Sequence, residues 1–453
     1  MAHTNYPQAY LDLMREVMGT DYDKWMEAQD SPLFRVVRLN PTKLTESEFI
    51  AEFPEAIRLT EYPGYLYRMP QSETSLGTHP FHHAGCFYIQ EPSASLPAVA
   101  LSIQKGDKVL DVCASPGGKS TQILSMLDSS GFLISNEIDS KRNQTLRFNL
   151  ERFGDDNVLV IQNDTAVIGK SFKGYFDKIL IDAPCSGMGM YRKDPLGMRF
   201  FSTPNIDHCA RLQRDILDNS YPALKNNGVL VYSTCTFTPT ENELQIAAFM
   251  ERHPDMILEE LPFSIGRPGI WENHPALAKC RRITVLEGGE GHFIARMRKS
   301  GSESIPRVSV LKPSQNPLIQ QTLSAWIDPK ISVYELNNQL YLSRFPIPDA
   351  KDIRIKQVGV YLGEIIKGRI DLQHAFALSK IARASFFQKQ ALSRIQTEAY
   401  LHGDALEIPY IKGYVLLTYQ NQAIGFAKGD GTVLKNHFPK GIRSFQKFSE
   451  KSK

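Results

Sequence analysis

Residues 108–124, KVLDVCASPGGKSTQIL, decide the fold of this chain. A short apolar run leads into a Pro116-Gly117-Gly118 turn, and apolar residues at helical spacing follow it. Strand, glycine turn and helix in that order open a doubly wound α/β unit, in which glycines let a ligand approach the backbone at the strand's carboxyl end. Two phosphate-binding readings fail on spacing. A P-loop ending in Gly118-Lys119-Ser120 needs a glycine five positions before Gly118, where Cys113 stands. A dinucleotide fingerprint needs G-x-G-x-x-G, which the adjacent Gly117 and Gly118 do not supply. What remains is a nucleoside site without a pyrophosphate.

Outward from that turn, the same alternation continues. GFLISNE, NVLVIQND, FDKILIDAP and GVLVYSTCT read as further short buried strands separated by helical stretches. This implies βαβ crossovers and a mostly parallel, Rossmann-like sheet over residues 86–298. Glu137 ends the second strand, twenty positions after Gly117, where a carboxylate accepts hydrogen bonds from ribose hydroxyls. Asp164 ends the third, placed for an adenine amino group. Each acid alone would more often be a helix N-cap. Three agreeing strand ends point to S-adenosylmethionine, which carries adenosine and an amino acid but no phosphate.

The fourth strand ends in Asp182-Ala-Pro-Cys185 and the fifth in Ser233-Thr-Cys235. Strands four and five of a doubly wound sheet lie beside strand one, so both cysteines are expected above the donor pocket. Cys209 and Cys280 read as small buried hydrophobes, and in Cys113 the backbone matters more than the sulfur. A thiolate beside a methyl sulfonium suits one chemistry well. Carbon 5 of a pyrimidine is a poor nucleophile until a thiolate adds to carbon 6, and Asp182 is placed to bond ring nitrogen 3 of the adduct.

The chain has 453 residues, 42% apolar and 22% charged, which is ordinary globular composition and suggests about three domains. No signal peptide, membrane-spanning run or C-x-x-C pair occurs, so the expectation is a soluble, cytoplasmic, reduced protein without a structural metal. His82, His83 and Cys86 lack a fourth ligand nearby and are set aside. Residues 1–85 read as an α+β extension, 298–307 as a linker, 308–385 as an accessory region and 386–453 as a compact β domain. Net charge is +3, but residues 428–453 carry +5, which suggests a phosphate-binding end.

DVCASPGGKS, NEIDSKR, QND, DAPCSGMG with RKDP, and STCTFTPTENE together resemble the motifs of the Sun-type RNA cytosine-5 methyltransferases, nearest to their RsmF branch, which methylates 16S ribosomal RNA. GEGHFIARM and FRVVRLNPTK extend the resemblance through the catalytic domain and to the N-terminus, and the last hundred residues resemble accessory and PUA-like segments. The resemblance implies that Cys235 is the nucleophile and that Cys185 assists product release. It implies donor contacts from Cys113, Ala114, Ser115, Pro116, Gly117, Gly118, Lys119, Glu137, Asp164 and Asp182. It also implies RNA binding by residues 1–85 and by a PUA-like domain at 386–453, and a monomer acting on ribosomal RNA, possibly within the small ribosomal subunit. Two rivals stand beside it: a DNA cytosine-5 methyltransferase using Cys185, which leaves Thr234-Cys235 unexplained, and a non-catalytic RNA-binding protein, which leaves the paired cysteines unexplained.

Overall fold

The computed structural model describes residues 6–443, apart from 74, 128–129, 271–273, 303–307, 318, 320–322, 324–326 and 385–387. At its centre lies a ten-stranded sheet. Strands β1 (Lys108–Asp111), β2 (Phe132–Asn136), β3 (Val158–Ile161), β4 (Phe176–Asp182) and β5 (Leu224–Thr234) run parallel in the order β5-β4-β1-β2-β3. They are the five strands expected from the sequence. The crossovers are helices α1 (Gly118–Met126), α2 (Ser140–Phe153), α3 (Thr165–Ser171) and α4 (Thr203–Ser220), and α5 (Glu243–Arg252) follows β5.

Successive strand residues face opposite sides, so a parallel sheet must be apolar on both. Leu110, Ile134, Ile179 and Ile181 pack with α3, α4 and α5, whereas Val109, Leu133, Val158 and Leu180 pack with α1 and α2. Beyond β5 the sheet turns antiparallel. Strand β8 (His292–Lys299) lies beside β5, and β6 (Met256–Glu259) and β7 (Arg281–Ile283) share its other edge. At the opposite end the accessory region contributes β9 (Ile355–Val358), which pairs antiparallel with β3 and covers that edge.

The N-terminal unit runs further than expected. Phe87–Ile89 lies past residue 85 but pairs with Val36–Leu39 in a four-stranded sheet. The strand adjoins the catalytic domain in sequence but takes its pairing partner from the N-terminal unit. The two ends of the chain also share one core, in which Phe49, Tyr67, Phe81 and Phe87 pack with Tyr400, Val415, Leu417 and Ile424. The buried ammonium of Lys43 ties that body down by donating to the carbonyls of Ala84, Arg152 and Leu378.

The C-terminal β unit contains the hairpin Lys412–Tyr419 and Gln422–Asp430. Its two turn residues, Gln420 and Asn421, both have positive φ (44° and 63°), as a twisted two-residue hairpin requires. Part of the basic end is therefore folded structure and no loose tail. Lys428 is in the hairpin, Lys435 in the strand Leu434–Asn436, and Phe438 is buried. Residues 444–453, with Lys447, Lys451 and Lys453, lie outside the described residues.

Candidate active site

The site follows from register. Asp182 on β4 stands directly opposite Ser233 on β5, so the chain beyond both strand ends starts from the same level of the sheet. Three residues past Asp182 and two past Ser233, the Sγ atoms of Cys185 and Cys235 lie 3.3 Å apart. Both line a cavity of about 310 Å³ together with Cys113, Ser115, Glu137, Asp164 and Asp182. Of the expected donor residues, Ala114 is buried, while Pro116, Gly117 and Gly118 shape the turn without lining the cavity. Gly117 takes φ +109°, where a side chain would be strained, and starts α1.

Lys119 departs from its expected place. Its Nζ lies 2.6 Å from Asp182 Oδ2, and Ser233 Oγ donates to the other carboxylate oxygen at 2.7 Å. Burial works against the charge on Asp182, but Lys119, His292 and these two bonds outweigh it and hold the carboxyl below its usual range. Burial likewise opposes the Lys119 charge, which Asp182 and Cys235 restore and push upward. Lys119 is thus a retained cation facing both a carboxylate and a thiol. The hydrogen bond with Cys235 and burial raise the pKa of Cys185 well above its usual value, so Cys185 is held as a thiol.

At the other end of the cavity Glu137 is buried, its Oε1 accepting from the Asp139 amide at 3.0 Å while Arg142 lies 3.4 Å from Oε2. Asp164 does cap α3, accepting from the Ala166 amide at 2.8 Å, and still lines the cavity. The structural and the ligand-facing explanations of this residue therefore hold together. Three carboxylates in one cavity disfavour a phosphate and suit a cationic ligand. Ile138, Leu212 and Ile216 supply apolar walls. This donor set fits S-adenosylmethionine, a sulfonium and ammonium ion with a ribose and an adenine.

Four family models match the chain along its length. They are the N-terminal domain of 16S rRNA methyltransferase RsmF (residues 6–92), 16S rRNA methyltransferase RsmB/F (98–298), the RsmF rRNA methyltransferase first C-terminal domain (319–379) and the methyltransferase RsmF PUA domain (387–444). Ribosomal RNA small subunit methyltransferase F of Escherichia coli strain K12 is 31% identical over 97% of this chain and 97% of its own length. The protein of that description from Cronobacter sakazakii is 31% identical over 96% of each chain. The chain belongs to the RsmF family of 16S rRNA methyltransferases. A solved methyltransferase homolog from Pyrococcus horikoshii aligns with a TM-score of 0.57 and 29% identity, covering 65% of this chain and 96% of that one.

Within this RsmF-family site, the residues that sequence reasoning left without roles are those that hold the thiols in place. The segment Thr238–Glu243 follows Cys235 and binds both cysteine turns. Glu241 accepts from the Ser186 amide at 2.9 Å, from Ser186 Oγ at 2.5 Å and from Gln213 at 2.9 Å, fixing the turn after Cys185. Asn242 accepts from Thr234 Oγ1 at 2.6 Å and donates to the Thr236 carbonyl at 3.0 Å, bracketing Cys235. Glu243 forms a buried ion pair with Arg282. Gly189 donates its amide to the Cys235 carbonyl at 2.9 Å. The density of polar residues in TPTENE right after an apolar strand was the available signal, because polar groups in such a place must find partners.

A second such residue comes from the N-terminal unit. The buried guanidinium of Arg38 donates to the Gly118 carbonyl at 2.7 Å and to Thr121 Oγ1 at 2.8 Å, pinning the first turn of α1. Thr121 in turn donates to the Gly117 carbonyl at 2.8 Å. The glycine turn is therefore set from outside the catalytic domain as well as within it. Among the described residues, no group of three or more His, Cys, Asp or Glu is arranged to hold a metal ion. His82 lies against Arg152, and the ring of His83 packs on Phe438 at 5.4 Å. No helix among the described residues is long and apolar enough to cross a membrane.

Proposed function

We propose that this chain transfers a methyl group to carbon 5 of a cytosine in 16S ribosomal RNA in the cytoplasm, with Cys235 as the covalent nucleophile. The observation that carries the proposal is the pair of thiols 3.3 Å apart, set beside the Lys119–Asp182 ion pair at the edge of the donor cavity. When bound, S-adenosylmethionine supplies an electrophilic methyl group, with Glu137 holding its ribose and Asp164 its adenine. The target base leaves its stack, or is already unpaired, to reach the cysteines.

Cys235 adds to carbon 6 as the thiolate, facing the fixed positive charge of Lys119. Ring nitrogen 3 takes a proton from solvent as the adduct forms and returns it when the adduct breaks down, and Asp182, kept ionised, accepts a hydrogen bond from it in between. After methylation a base must remove the carbon 5 proton so that the bond between Cys235 and carbon 6 can break. Cys185 is positioned for that step. To act, Cys185 first gives its own proton to solvent; the thiolate then takes the carbon 5 proton, the electron pair of that C–H bond re-forms the ring double bond, and the Cys235 thiolate leaves carbon 6. Nucleophile and base thus act in sequence.

Bisulfite mapping of 16S ribosomal RNA, with and without the gene, tests the proposal. A cytosine protected only when the gene is present is the expected result. Cys235→Ala should remove both the mark and any covalent adduct. Persistence of the mark in that variant refutes the role of Cys235 and favours the DNA-type use of Cys185.

A further inference from the structure

A second cavity, of about 300 Å³, opens between the N-terminal unit and the catalytic domain. Phe34, Tyr62 and Arg68 line one side of it, and Glu91, Arg192 and Lys193 line the other. Several of these groups are already committed. Glu91 accepts from the amides of Ser93, Ala94 and Glu290, and Arg192 pairs with Glu290 at 3.1 Å and donates to the Ser31 carbonyl at 2.6 Å. They form a rigid wall.

The remaining groups are available. Phe34 is 47% exposed, large for an aromatic ring beside a cavity. The Arg68 guanidinium lies 4.7 Å above that ring, and neither it nor the exposed Lys193 ammonium makes a hydrogen bond or ion pair with another described residue. Two cations that make no hydrogen bond with the described residues, beside an exposed aromatic ring, make a stacking platform with a phosphate contact. Arg68, Arg192 and Lys193 are balanced by Glu61, Glu91 and Glu290 in the lining, so the cavity as a whole is no phosphate trap. A charge-balanced, aromatic-floored space suits a nucleobase, and Arg68 and Lys193, whose donors no described residue uses, suit its phosphate.

One wall separates this cavity from the reacting groups. Behind Glu91 stands His292, its Nδ1 3.8 Å from Glu91 Oε2 and 3.1 Å from Ser93 Oγ. On its other side His292 lies within electrostatic reach of Asp182 and Lys119. Glu91, in the lining of the second cavity, thus stands one side chain away from the Lys119–Asp182 pair.

We infer that this cavity is a nucleotide subsite that receives a base flanking the target cytosine, stacked on Phe34 with its phosphate on Arg68 and Lys193. The inference rests on the RNA methylation proposed above. It is tested with small ribosomal subunits and deproteinised 16S ribosomal RNA from cells lacking the gene. RNA binding is measured by anisotropy, turnover by methyl incorporation and donor affinity by calorimetry. Phe34→Ala should raise the KM and the Kd for RNA by roughly 5- to 150-fold, the span of one base stack, and Phe34→Trp should restore both. Arg68→Gln should weaken RNA binding and flatten its salt dependence by about 0.7 in log–log slope. Saturating kcat and donor Kd should stay unchanged in all three variants. Unchanged RNA affinity in both Phe34→Ala and Arg68→Gln overturns the subsite, as does a loss of donor affinity in parallel. Failure of wild-type protein to methylate either RNA would refute the methylation proposal, while the anisotropy arm would still decide the subsite.

Discussion

Glu137→Gln isolates the ribose contact, because the structure dictates how the new amide must sit. The Asp139 amide needs an acceptor, and its bond to Glu137 Oε1 at 3.0 Å starts the turn into α2. The glutamine oxygen must therefore stay on that side, which puts its NH2 where Oε2 now lies, 3.4 Å from Arg142. That position becomes a donor facing a cation, and no acceptor is left for a ribose hydroxyl. Hydrogen bonds to a charged group contribute about 1.5–3 kcal/mol, and leaving a buried group unpaired costs about 1–3 kcal/mol. The net loss should be about 1–3 kcal/mol, or roughly 5- to 150-fold in the Kd for S-adenosylmethionine. Isothermal titration calorimetry of both variants reads it directly. Asp164→Asn is the internal control, since asparagine also caps a helix and only the contact to the adenine amino group changes. A Kd for Glu137→Gln within twofold of wild type would refute the ribose assignment.

Three further outcomes follow from the same geometry. Cys185→Ala should accumulate a protein–RNA complex that survives denaturing electrophoresis and resists reductant, because the link is a thioether, whereas Cys235→Ala should form none. The reverse pattern would exchange the two roles. Truncation after Arg443 removes Lys447, Lys451 and Lys453 and should lower the salt slope of RNA binding by up to about 2–3, with donor affinity unchanged; an unchanged slope would mean that these lysines are only solvated. Burial, with His83 and Lys43 nearby, lowers the pKa of His374 to about 3, below the roughly 6.5 of an unfolded chain. Its contribution is therefore complete above about pH 6.5 and lost as the pH falls from there toward 3, so denaturation of His374→Phe should show a shallower acid decline than wild type, by up to about 5 kcal/mol. Parallel curves would refute that assignment.

The catalytic sheet could be read from the sequence because its strands are buried on both faces. Each of the five parallel strands had to be a short, nearly continuous apolar run, and such runs between helical stretches have few alternatives. Glu137, Asp164, Asp182, Cys185 and Cys235 were accessible by the same logic, since polar residues at the carboxyl ends of those runs can meet only in one crevice. Other features depend on distant pairing. Lys119 could be placed in the glycine turn, but its bond to Asp182 spans 63 residues and follows from the side-by-side packing of β1 and β4. The contacts of Arg38 with α1 span 80 and 83 residues. The common core of the two chain ends likewise leaves no local pattern, because an apolar face does not show which other face covers it.

That common core bears on how RNA binding and chemistry are connected. The N-terminal helices Gln8–Met18 and Tyr22–Ala28 pack on Met188, Tyr191 and Phe237, which lie in the turns that follow the two cysteines. Arg38, from the sheet that shares a core with the C-terminal β unit, holds the start of α1, and α1 supplies Lys119. The N-terminal unit is thus in contact with the Cys185 turn, the Cys235 turn and the start of α1. A displacement of the N-terminal unit cannot leave the Cys185 turn, the Cys235 turn and the glycine turn all where they are, because each has a packed or hydrogen-bonded partner in it. The outer units therefore do more than raise the local concentration of substrate. Part of the geometry of the glycine turn and of both thiol turns is borrowed from the N-terminal unit, so isolating residues 98–298 would remove Arg38 from α1 and the aromatic packing from both thiol turns.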